Sequence, residues 1–293
     1  MSGFSAEWLA LREPVDHRSR NVALQSNVIE FLQQTTTVVP GSIHIVDLGS
    51  GTGSNLRALA PHFGLKQSWT LVDNDPDLLR FARKTLMVWA DNVVSPNERE
   101  LSIVDSRSSQ PLIIVKNSKT ITIQFRCADL VHDYPAILAQ PADLITAAAF
   151  FDLVAESWLK QFCAALSKPL YTVLTYNGME QWSPANRTDV DILKVFHQHQ
   201  CTDKGFGAAV GPSAPERLQS LLRANNLVTT CAPSPWVMDQ DDRKLIEQLA
   251  VGTGQAVREM GVLPNTTVDQ WVQNRRNANQ CTIGHIDLFA HRV

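Results

Sequence analysis

The apolar residues of this chain fall into short buried runs that alternate with amphipathic stretches. Residues 43–48 and 69–72 are apolar runs without clean alternation, which is typical of strands covered on both faces. Residues 55–63 and 77–90 place apolar side chains at helical spacing, and the second stretch is entered through Pro76. This β-α-β-α order predicts parallel strands joined by right-handed crossovers, with helices on both faces of the sheet.

The remaining pattern predicts further strands and helices around an irregular middle. Residues 5–34 predict two helices separated at Pro14, and residues 35–42 predict a loop. Residues 91–110 predict an inserted surface loop. The later predicted elements are a hairpin at 112–115 and 120–125, strands at 143–146, 170–175, 227–231 and 283–290, and helices at 152–166, 189–200, 214–225, 241–260 and 268–278.

Composition narrows the class of protein. The 293 residues are 44% hydrophobic and 19% charged, so the chain can bury a sizeable core. The formal charge of −3 provides no global positive field that would attract nucleic acid. No stretch approaches the ~18 apolar residues that span a bilayer, and the amino terminus lacks the pattern of a secretory signal. Five dispersed cysteines without a C-x-x-C pair disfavour disulfides and a thiolate metal site, so we expect a cytoplasmic protein without a metal.

Residues 45–55 carry the strongest candidate chemistry. A predicted strand runs directly into Gly49, Gly51 and Gly53 and then into a predicted helix. Without Cβ atoms, the backbone N–H groups there can come close to a ligand, which indicates a nucleotide-like cofactor. The spacing is G-x-G-x-G, and Asp47 lies two residues before the first glycine. A carboxylate at this place would repel a pyrophosphate but attract a cationic amino group.

This segment, V-D-L-G-S-G-T-G, resembles the first motif of the class I S-adenosylmethionine-dependent methyltransferases. Asp73 closes the second predicted strand, where the resemblance implies a ribose ligand, with Asn74 beside the adenine. C-A-D-L at 127–130 resembles the adenine-edge motif, in which Asp129 accepts from the exocyclic amine. D-L-I-T-A-A at 143–148 resembles the fourth strand, beside the methionine portion and the transferable methyl group. The resemblance covers about residues 20–182 and the terminal strands.

The resemblance implies S-adenosylmethionine as cofactor and S-adenosylhomocysteine as product. It implies an α/β fold with a Rossmann-like, seven-stranded, mostly parallel sheet whose last strand is antiparallel. Taken singly, a glycine turn is also a tight connection and a strand-end aspartate is also a helix cap, but their joint placement favours a cofactor site. The implied cofactor residues are Arg20, which would pair with the methionine carboxylate, Asp47, Gly49, Ser50, Gly51, Thr52, Gly53, Asn55, Asp73, Asn74, Ala128, Asp129, Leu130 and Ala147.

Candidate acceptor residues lie after the fourth and fifth predicted strands and in the added segments above them. Residues 197–207 combine two imidazoles, an acid, a lysine and glycines. The catalytic candidates are therefore His197 or His199 as a general base, together with Tyr176; the alternative is a polar helix end with a glycine stop. The candidate substrate-binding residues are Phe150, Phe151, Asn177, Trp182, Asp203, Lys204 and Phe206.

These observations predict methyl transfer to a small-molecule acceptor by a single domain. Residues 1–40 would form a helical cap, 41–182 the cofactor-binding core, and 183–212 and 235–280 insertions that cover the substrate. The fourth strand lacks the Asn/Asp-Pro-Pro-aromatic pattern of enzymes that methylate nucleic-acid bases.

Two alternatives stay open. One is an RNA or protein methyltransferase, in which Arg275 and Arg276 would track phosphates. The other is a regulatory module that binds a nucleotide or S-adenosylmethionine without catalysis. A homodimer is compatible with the predicted function and with both alternatives.

Overall fold

The computed structural model describes residues 4–35, 42–94 and 110–292. Its strands form one sheet and its helices pack on both faces. The strands are β1 (Ser42–Leu48), β2 (Lys66–Asp73), β3 (Asn92–Val93), β4 (Leu112–Lys116), β5 (Lys119–Cys127), β6 (Leu144–Ala148), β7 (Leu170–Ser183), β8 (Val228–Pro233), β9 (Trp236–Met238) and β10 (Gln280–His291). The helices are α1 (Ala6–Ser19), α2 (Val22–Thr35), α3 (Ser54–Leu59), α4 (Pro76–Trp89), α5 (Leu130–Leu138), α6 (Glu156–Ala165), α7 (Asp189–Gln200), α8 (Ala214–Ala224), α9 (Arg243–Met260) and α10 (Asn265–Arg275).

The sheet has the topology expected of a doubly wound fold. Its order is β3-β4-β5-β2-β1-β6-β7-β10-β8, and β9 pairs with β10. Strands β5, β2, β1, β6 and β7 are parallel, whereas β10 is antiparallel to both β7 and β8. The predicted mostly parallel sheet with an antiparallel last strand is therefore confirmed. Strands β3, β4 and β9 extend it, and the predicted hairpin is the antiparallel pair β4–β5.

Apolar side chains fill the space on each face of the sheet. One cluster joins α2, α3 and α4 to β1 and β2, with Leu24, Leu56 and Trp69 almost wholly buried. The other joins α5, α6 and α8 to β1 and β6, with Phe162 and Leu218 fully buried. Because both faces are covered, β1 and β2 have the near-continuous apolar sequences that predicted them.

The first helix does not end where the sequence predicts. Pro14 lies inside α1, and the chain bends only after Ser19, at Arg20. Tertiary packing holds the helix together beyond Pro14, since Val15 is 1% exposed and Asp16 accepts from Trp236 Nε1 at 3.0 Å. Arg12 and Asp16, one turn apart around Pro14, add a hydrogen-bonded ion pair at 2.8 and 3.1 Å. Helix α2 then begins where the Asn21 side chain accepts a hydrogen bond from Leu24 N–H at 3.0 Å.

The helix predicted at 152–166 begins later than expected. Residues Phe151–Leu153 form a single 3-10 turn, and Val154 and Ala155 are extended before α6 starts at Glu156. Asp152 therefore lies on a connection at the carboxyl end of β6 rather than on a helix.

Helices α7, α9 and α10 pack against one another in the added segments. The Arg275 guanidinium donates to both carboxylate oxygens of Asp189 at 2.8 and 2.6 Å, and Trp271 Nε1 donates to the same carboxylate at 2.8 Å. Arg275 is 2% exposed. Its guanidinium is therefore buried in this ion pair and does not face solvent. Arg276 forms a separate ion pair with Glu247. The phosphate-tracking role considered for Arg275 does not fit this burial.

Two predicted loops, at 35–42 and 91–110, fall largely outside the described residues. Among the described residues, the helices include none with the length and apolar composition that a bilayer crossing requires.

Two glycines of α9 provide a matched test of the helix packing. Gly252 has no atom within 4 Å of an added Cβ, whereas a Cβ at Gly254 would overlap Cγ2 of Val272 in α10. We expect Gly252→Ala to raise the free energy of unfolding by about 0.5–1 kcal/mol, because glycine is unfavourable inside a helix. We expect Gly254→Ala to lower it by about 1–3 kcal/mol through overpacking. Urea denaturation measures both, and equal effects would contradict the close approach of α9 and α10.

Candidate functional site

Three glycines form the bend that joins β1 to α3. Gly49, Gly51 and Gly53 have φ values of +62°, +51° and +76°, a left-handed conformation that residues with a Cβ rarely adopt. A Cβ at Gly49 would lie 2.9 Å from Cδ2 of Phe150, and one at Gly51 would lie 3.1 Å from Cδ1 of Leu9. The bare backbone that the glycine spacing predicts is therefore present, and its neighbours approach closely.

Asp73, at the end of β2, faces this bend. Its Oδ2 accepts a hydrogen bond from Gly51 N–H at 2.8 Å, and its Oδ1 accepts from Asp75 N–H at 3.0 Å. Burial raises the pKa of Asp73, while these backbone donors lower it. An ionised carboxylate has about four acceptor positions, so two stay open to a pair of hydroxyl groups.

A buried polar network lies beneath the bend. The Asn55 amide donates to Asp47 Oδ1 at 2.7 Å and to Thr146 Oγ1 at 3.1 Å, and its oxygen accepts from Arg20 Nη1 at 2.9 Å. Burial raises the pKa of Asp47 to about 7, although the Asn55 hydrogen bond and the Arg20 charge oppose this. Arg20 Nε, Asp47 Oδ2 and Ser50 Oγ are buried without a partner among the described residues. Such atoms are uncommon in folded proteins, and a polar ligand would satisfy them.

Helix α1 lies across the glycine bend. His17 Nε2 forms hydrogen bonds with Ser54 O and Oγ at 3.2 and 3.0 Å. The Arg57 guanidinium donates to both Glu13 carboxylate oxygens at 2.7 and 2.5 Å, and also to the Thr52 carbonyl at 2.7 Å. These contacts hold the amino-terminal helix against the start of α3.

The motif after β5 lies beside Asp73. Ala128 N–H donates to the Asp73 carbonyl at 3.0 Å, and Asn74 is exposed next to it. Asp129 is exposed and caps α5, where its Oδ1 accepts from Val131 N–H at 2.9 Å. The helix-cap role weighed for a strand-end aspartate therefore applies to Asp129, and it uses one carboxylate oxygen. The motif residues whose apolar side chains are buried are Ala128, Leu130 and Ala147.

The predicted catalytic residues are only partly brought together. The Tyr176 hydroxyl and His197 Nε2 are 3.0 Å apart. Burial lowers the pKa of His197 and raises that of Tyr176, which favours the neutral form of both side chains. His199 lies on the other side of α7, where it pairs with Glu259 at 3.0 Å and Lys204 Nζ is 3.5 Å from its Nδ1.

Most of the predicted substrate-binding residues make local structural contacts. Phe206 packs edge-on against Phe150 at 5.7 Å between ring centroids, and Phe151 is fully buried. Asp203 closes a turn by accepting from the N–H groups of residues 205 and 207. Asn177 Oδ1 accepts from the N–H of residue 179 at 3.0 Å. Trp182 Nε1 donates to Oε1 of Glu180 at 2.5 Å.

A cavity of about 130 Å³ lies beyond the carboxyl end of β6, against the middle of β7 and β10. Tyr176 lines it, whereas the other predicted catalytic and substrate-binding residues do not. Ala149 and Leu174 also line it and have φ values of +50° and +58°. Positive φ at residues with side chains costs about 1–3 kcal/mol each and is concentrated at functional sites.

Sequence reasoning missed several polar lining residues of this cavity. They are Arg12, Asp152, Glu180, Gln200 and His285. Asp152 carried a usable signal, because it is an acid just past the fourth predicted strand, where acceptor residues were expected. The others come from elements that are remote along the chain, and no local spacing links them. Among the described residues, His, Cys, Asp and Glu side chains form no group of three that could hold a metal ion.

Comparison with known proteins supports the fold. No family model and no curated protein sequence matches the chain. A solved structure of a cyclopropane-fatty-acyl-phospholipid synthase-like protein from Lactobacillus casei is similar, with a TM-score of 0.54 and 15% identity over 98% of this chain and 94% of that chain. Geranyl diphosphate C-methyltransferase from Streptomyces coelicolor, solved with S-adenosyl-L-homocysteine, aligns with a TM-score of 0.38 and 14% identity over 92% of this chain and 81% of that chain.

The buried carboxyl of Asp47 predicts a pH-dependent stability. Its pKa of about 7 in the folded protein exceeds the ordinary 3.8, so folding favours the protonated form. The stability that this group contributes is present below about pH 4 and is lost as the pH rises toward 7. Asp47→Asn removes this loss, so the variant should gain stability relative to the wild type over this range, by up to about 4 kcal/mol.

Urea denaturation between pH 4 and 8 measures the difference. Asp91 is a control whose pKa is shifted in the opposite direction, because Lys116 and the Asn117 N–H lower it. The stability that ionised Asp91 contributes is lost only as the pH falls through about 4 and below, so the difference between Asp91→Asn and the wild type should stay nearly constant from pH 5 to 8. A difference between Asp47→Asn and the wild type that stays constant with pH would show that Asp47 is not titrating in this range.

Proposed function

We propose that this chain, which has the fold of the class I S-adenosylmethionine-dependent methyltransferases, transfers a methyl group from S-adenosylmethionine to a small-molecule acceptor. The observation that carries the proposal is the set of unpartnered buried polar atoms beside the glycine bend. Arg20 Nε is a donor, and Asp47 Oδ2 is an acceptor. A zwitterionic amino acid has one carboxylate and one ammonium group, so it would satisfy both atoms.

The other end of the cofactor fits the neighbouring strand. The two acceptor positions of Asp73 that backbone N–H groups leave open suit the vicinal hydroxyls of a ribose. Asn74 and Asp129 lie beyond Asp73, at the ends of the strands β2 and β5, and would contact the adenine. Gly49 and Gly51 leave room for the chain between these two ends.

When bound, the cofactor would supply a methyl group on a positively charged sulfur. The protein's contribution is position and water exclusion. Helix α1 lies over the bend and also lines the cavity through Trp8 and Arg12, so one helix encloses both regions. Holding the acceptor in line with the methyl group can supply ~7–11 kcal/mol of the barrier reduction.

The small cavity favours a small acceptor over a polymer. At about 130 Å³ it has room for roughly six non-hydrogen atoms, by comparison with protein cavities that bind benzene. An RNA base or a protein side chain would have to enter between α1, α7 and α9. The ion pair of Arg275 also removes one of the two cations proposed for phosphate binding.

Calorimetry with Asp73→Asn tests the cofactor site. The wild type should bind S-adenosylmethionine and S-adenosylhomocysteine at micromolar concentration and should not bind NAD, because the loop lacks the dinucleotide spacing. The variant should bind 10- to 150-fold more weakly, since a hydrogen bond to a charged group contributes about 1.5–3 kcal/mol.

Asp143→Asn is the matched control for this experiment. Asp143 also accepts a backbone hydrogen bond, from His44 N–H at 2.7 Å, but it lies at the amino ends of β1 and β6, away from the glycine bend. It should bind S-adenosylhomocysteine like the wild type. Equal affinity in folded Asp73→Asn, or a preference for NAD, would overturn the assignment.

A further inference from the structure

The cavity at the carboxyl end of β6, against β7 and β10, contains buried polar atoms to which the described part of the chain offers no hydrogen bond. Oδ1 of Asp152 and Oε1 of Gln200 are buried without a partner among the described residues, and so is Nδ1 of His285. His285 is only 6% exposed, and burial holds its pKa at about 3, so the ring is neutral. All three atoms belong to lining residues, and the two oxygens are acceptors that need a donor.

The charges around the cavity leave an excess of negative charge. Arg12 is the cation that lines it, and its guanidinium is bound to both carboxylate oxygens of Asp16. Asp152 and Glu180 are the two lining acids. The Glu180 carboxylate accepts from Trp182 Nε1, a neutral donor, so its charge is not cancelled by that contact.

Aromatic rings form much of the remaining wall. Phe4, Trp8, Tyr176, Phe196 and Trp236 all line the cavity. The negative faces of such rings attract a cation, by about 0.5–1 kcal/mol when exposed and by 2 kcal/mol or more when the site is desolvated. Aromatic walls combined with unpartnered acceptors and two carboxyl groups match a cationic ligand with N–H donors.

We propose that the acceptor is a small primary or secondary amine, which binds in this cavity as its ammonium ion with Asp152 as its main partner. The proposal rests on the proposed function, because it names the acceptor of that same methyl transfer. A free amine of about six non-hydrogen atoms fits the volume.

Asp152 also has a role in making the amine reactive. An ammonium ion has no lone pair, so one N–H proton must first leave it, and the carboxylate of Asp152 takes that proton. The nitrogen lone pair then forms the N–CH₃ bond while the S–CH₃ bond breaks and its electron pair stays on sulfur. The positive charge moves from sulfur to the methylated nitrogen, and Asp152 becomes neutral, so atoms and charge balance.

The ionisation of the two acids supports this role. Burial raises the pKa of Asp152 to about 6 and that of Glu180 to about 7. Other charged groups near these acids are Arg12, which is paired with Asp16, and the Asp189–Arg275 pair, whose charges act on Glu180. Burial keeps the two remaining lining groups, Tyr176 and His285, neutral between pH 5 and 8, because it raises the pKa of the phenol and lowers that of the imidazole. Cation binding should therefore strengthen as the pH rises through 6 to 7, because the carboxyls ionise.

Three probes of similar size and different charge test the proposal. They are cationic tert-butylammonium, neutral tert-butanol and anionic trimethylacetate, each titrated into the full chain saturated with S-adenosylhomocysteine, with tryptophan fluorescence and calorimetry as readouts. We expect tert-butylammonium to bind at least about tenfold more tightly than either other probe at pH 8, and its advantage to shrink at pH 5. A neutral or anionic probe that binds as well as the cation would overturn the proposal.

A substitution of Asp152 tests whether its carboxylate causes the preference for a cation. Asp152→Asn should weaken tert-butylammonium binding about tenfold or more and leave tert-butanol binding unchanged. Asp191→Asn makes the same change at an exposed position of α7 and should behave like the wild type. Unchanged cation affinity in folded Asp152→Asn would overturn its role. If Asp152→Asn does not fold, the cation preference is still tested by two measurements. They are the comparison of the three probes on the wild type and the cation affinity of Glu180→Gln, which removes the other lining acid.

The same titrations separate this proposal from the function on which it rests. If S-adenosylhomocysteine binds and the cation preference is absent, the amine acceptor is wrong and methyl transfer stands. If S-adenosylhomocysteine does not bind at all, the proposed function fails and the acceptor proposal fails with it.

Discussion

The left-handed bend at Gly49, Gly51 and Gly53 is the constraint on which the rest of the site depends. It turns the chain from the end of β1 into α3 while leaving the main chain bare. The Asp73 carboxylate holds the bend through Gly51 N–H, which connects the ends of β1 and β2. With the bend fixed in this way, the polar groups at the ends of both strands face one region.

Two buried polar regions lie on either side of the segment that follows β6. Toward the glycine bend, Phe150 packs against Gly49, above the network of Asp47 and Asn55. On the other side, Asp152 lines the small cavity. In both regions, burial raises the pKa of a carboxyl group and leaves a polar atom without a partner. A folded protein retains such costly arrangements where a ligand compensates for them.

Helix α1 links these two regions. Glu13 and His17 hold it to the residues that follow the glycine bend, while Trp8 and Arg12 line the cavity. Ligands in the two regions would therefore be covered by the same helix, and its position over one region affects access to the other. The ion pair of Arg12 with Asp16 stabilises the helix across Pro14 and also neutralises the cation at the cavity wall.

The sequence predicts the parts of this arrangement that depend on local spacing. The apolar runs at 43–48 and 69–72 and the glycine spacing predicted the sheet core and the bend. The predicted start of α6 was wrong because the apolar pattern continues through the 3-10 turn at Asp152. The predicted break at Pro14 was wrong because tertiary packing of Val15 and Asp16, which a local pattern does not show, holds α1 together there.

The cavity lined by Asp152 could not be predicted in the same way. Its walls come from α1, β7, α7, α9 and β10, and residues such as Arg12 and His285 meet only through the tertiary fold. His197 and His199 illustrate the limit of local spacing, because two positions along a helix place them on different sides, and neither lines the cavity.

A crystal structure of the chain with S-adenosylhomocysteine tests the central claim most directly. The account predicts that the ribose hydroxyls lie within hydrogen-bond distance of Asp73, that the amino acid end lies against Arg20 and Asp47, and that the sulfur faces the cavity lined by Asp152. A ligand bound elsewhere, or a ribose turned away from Asp73 with the glycine bend unoccupied, would contradict it.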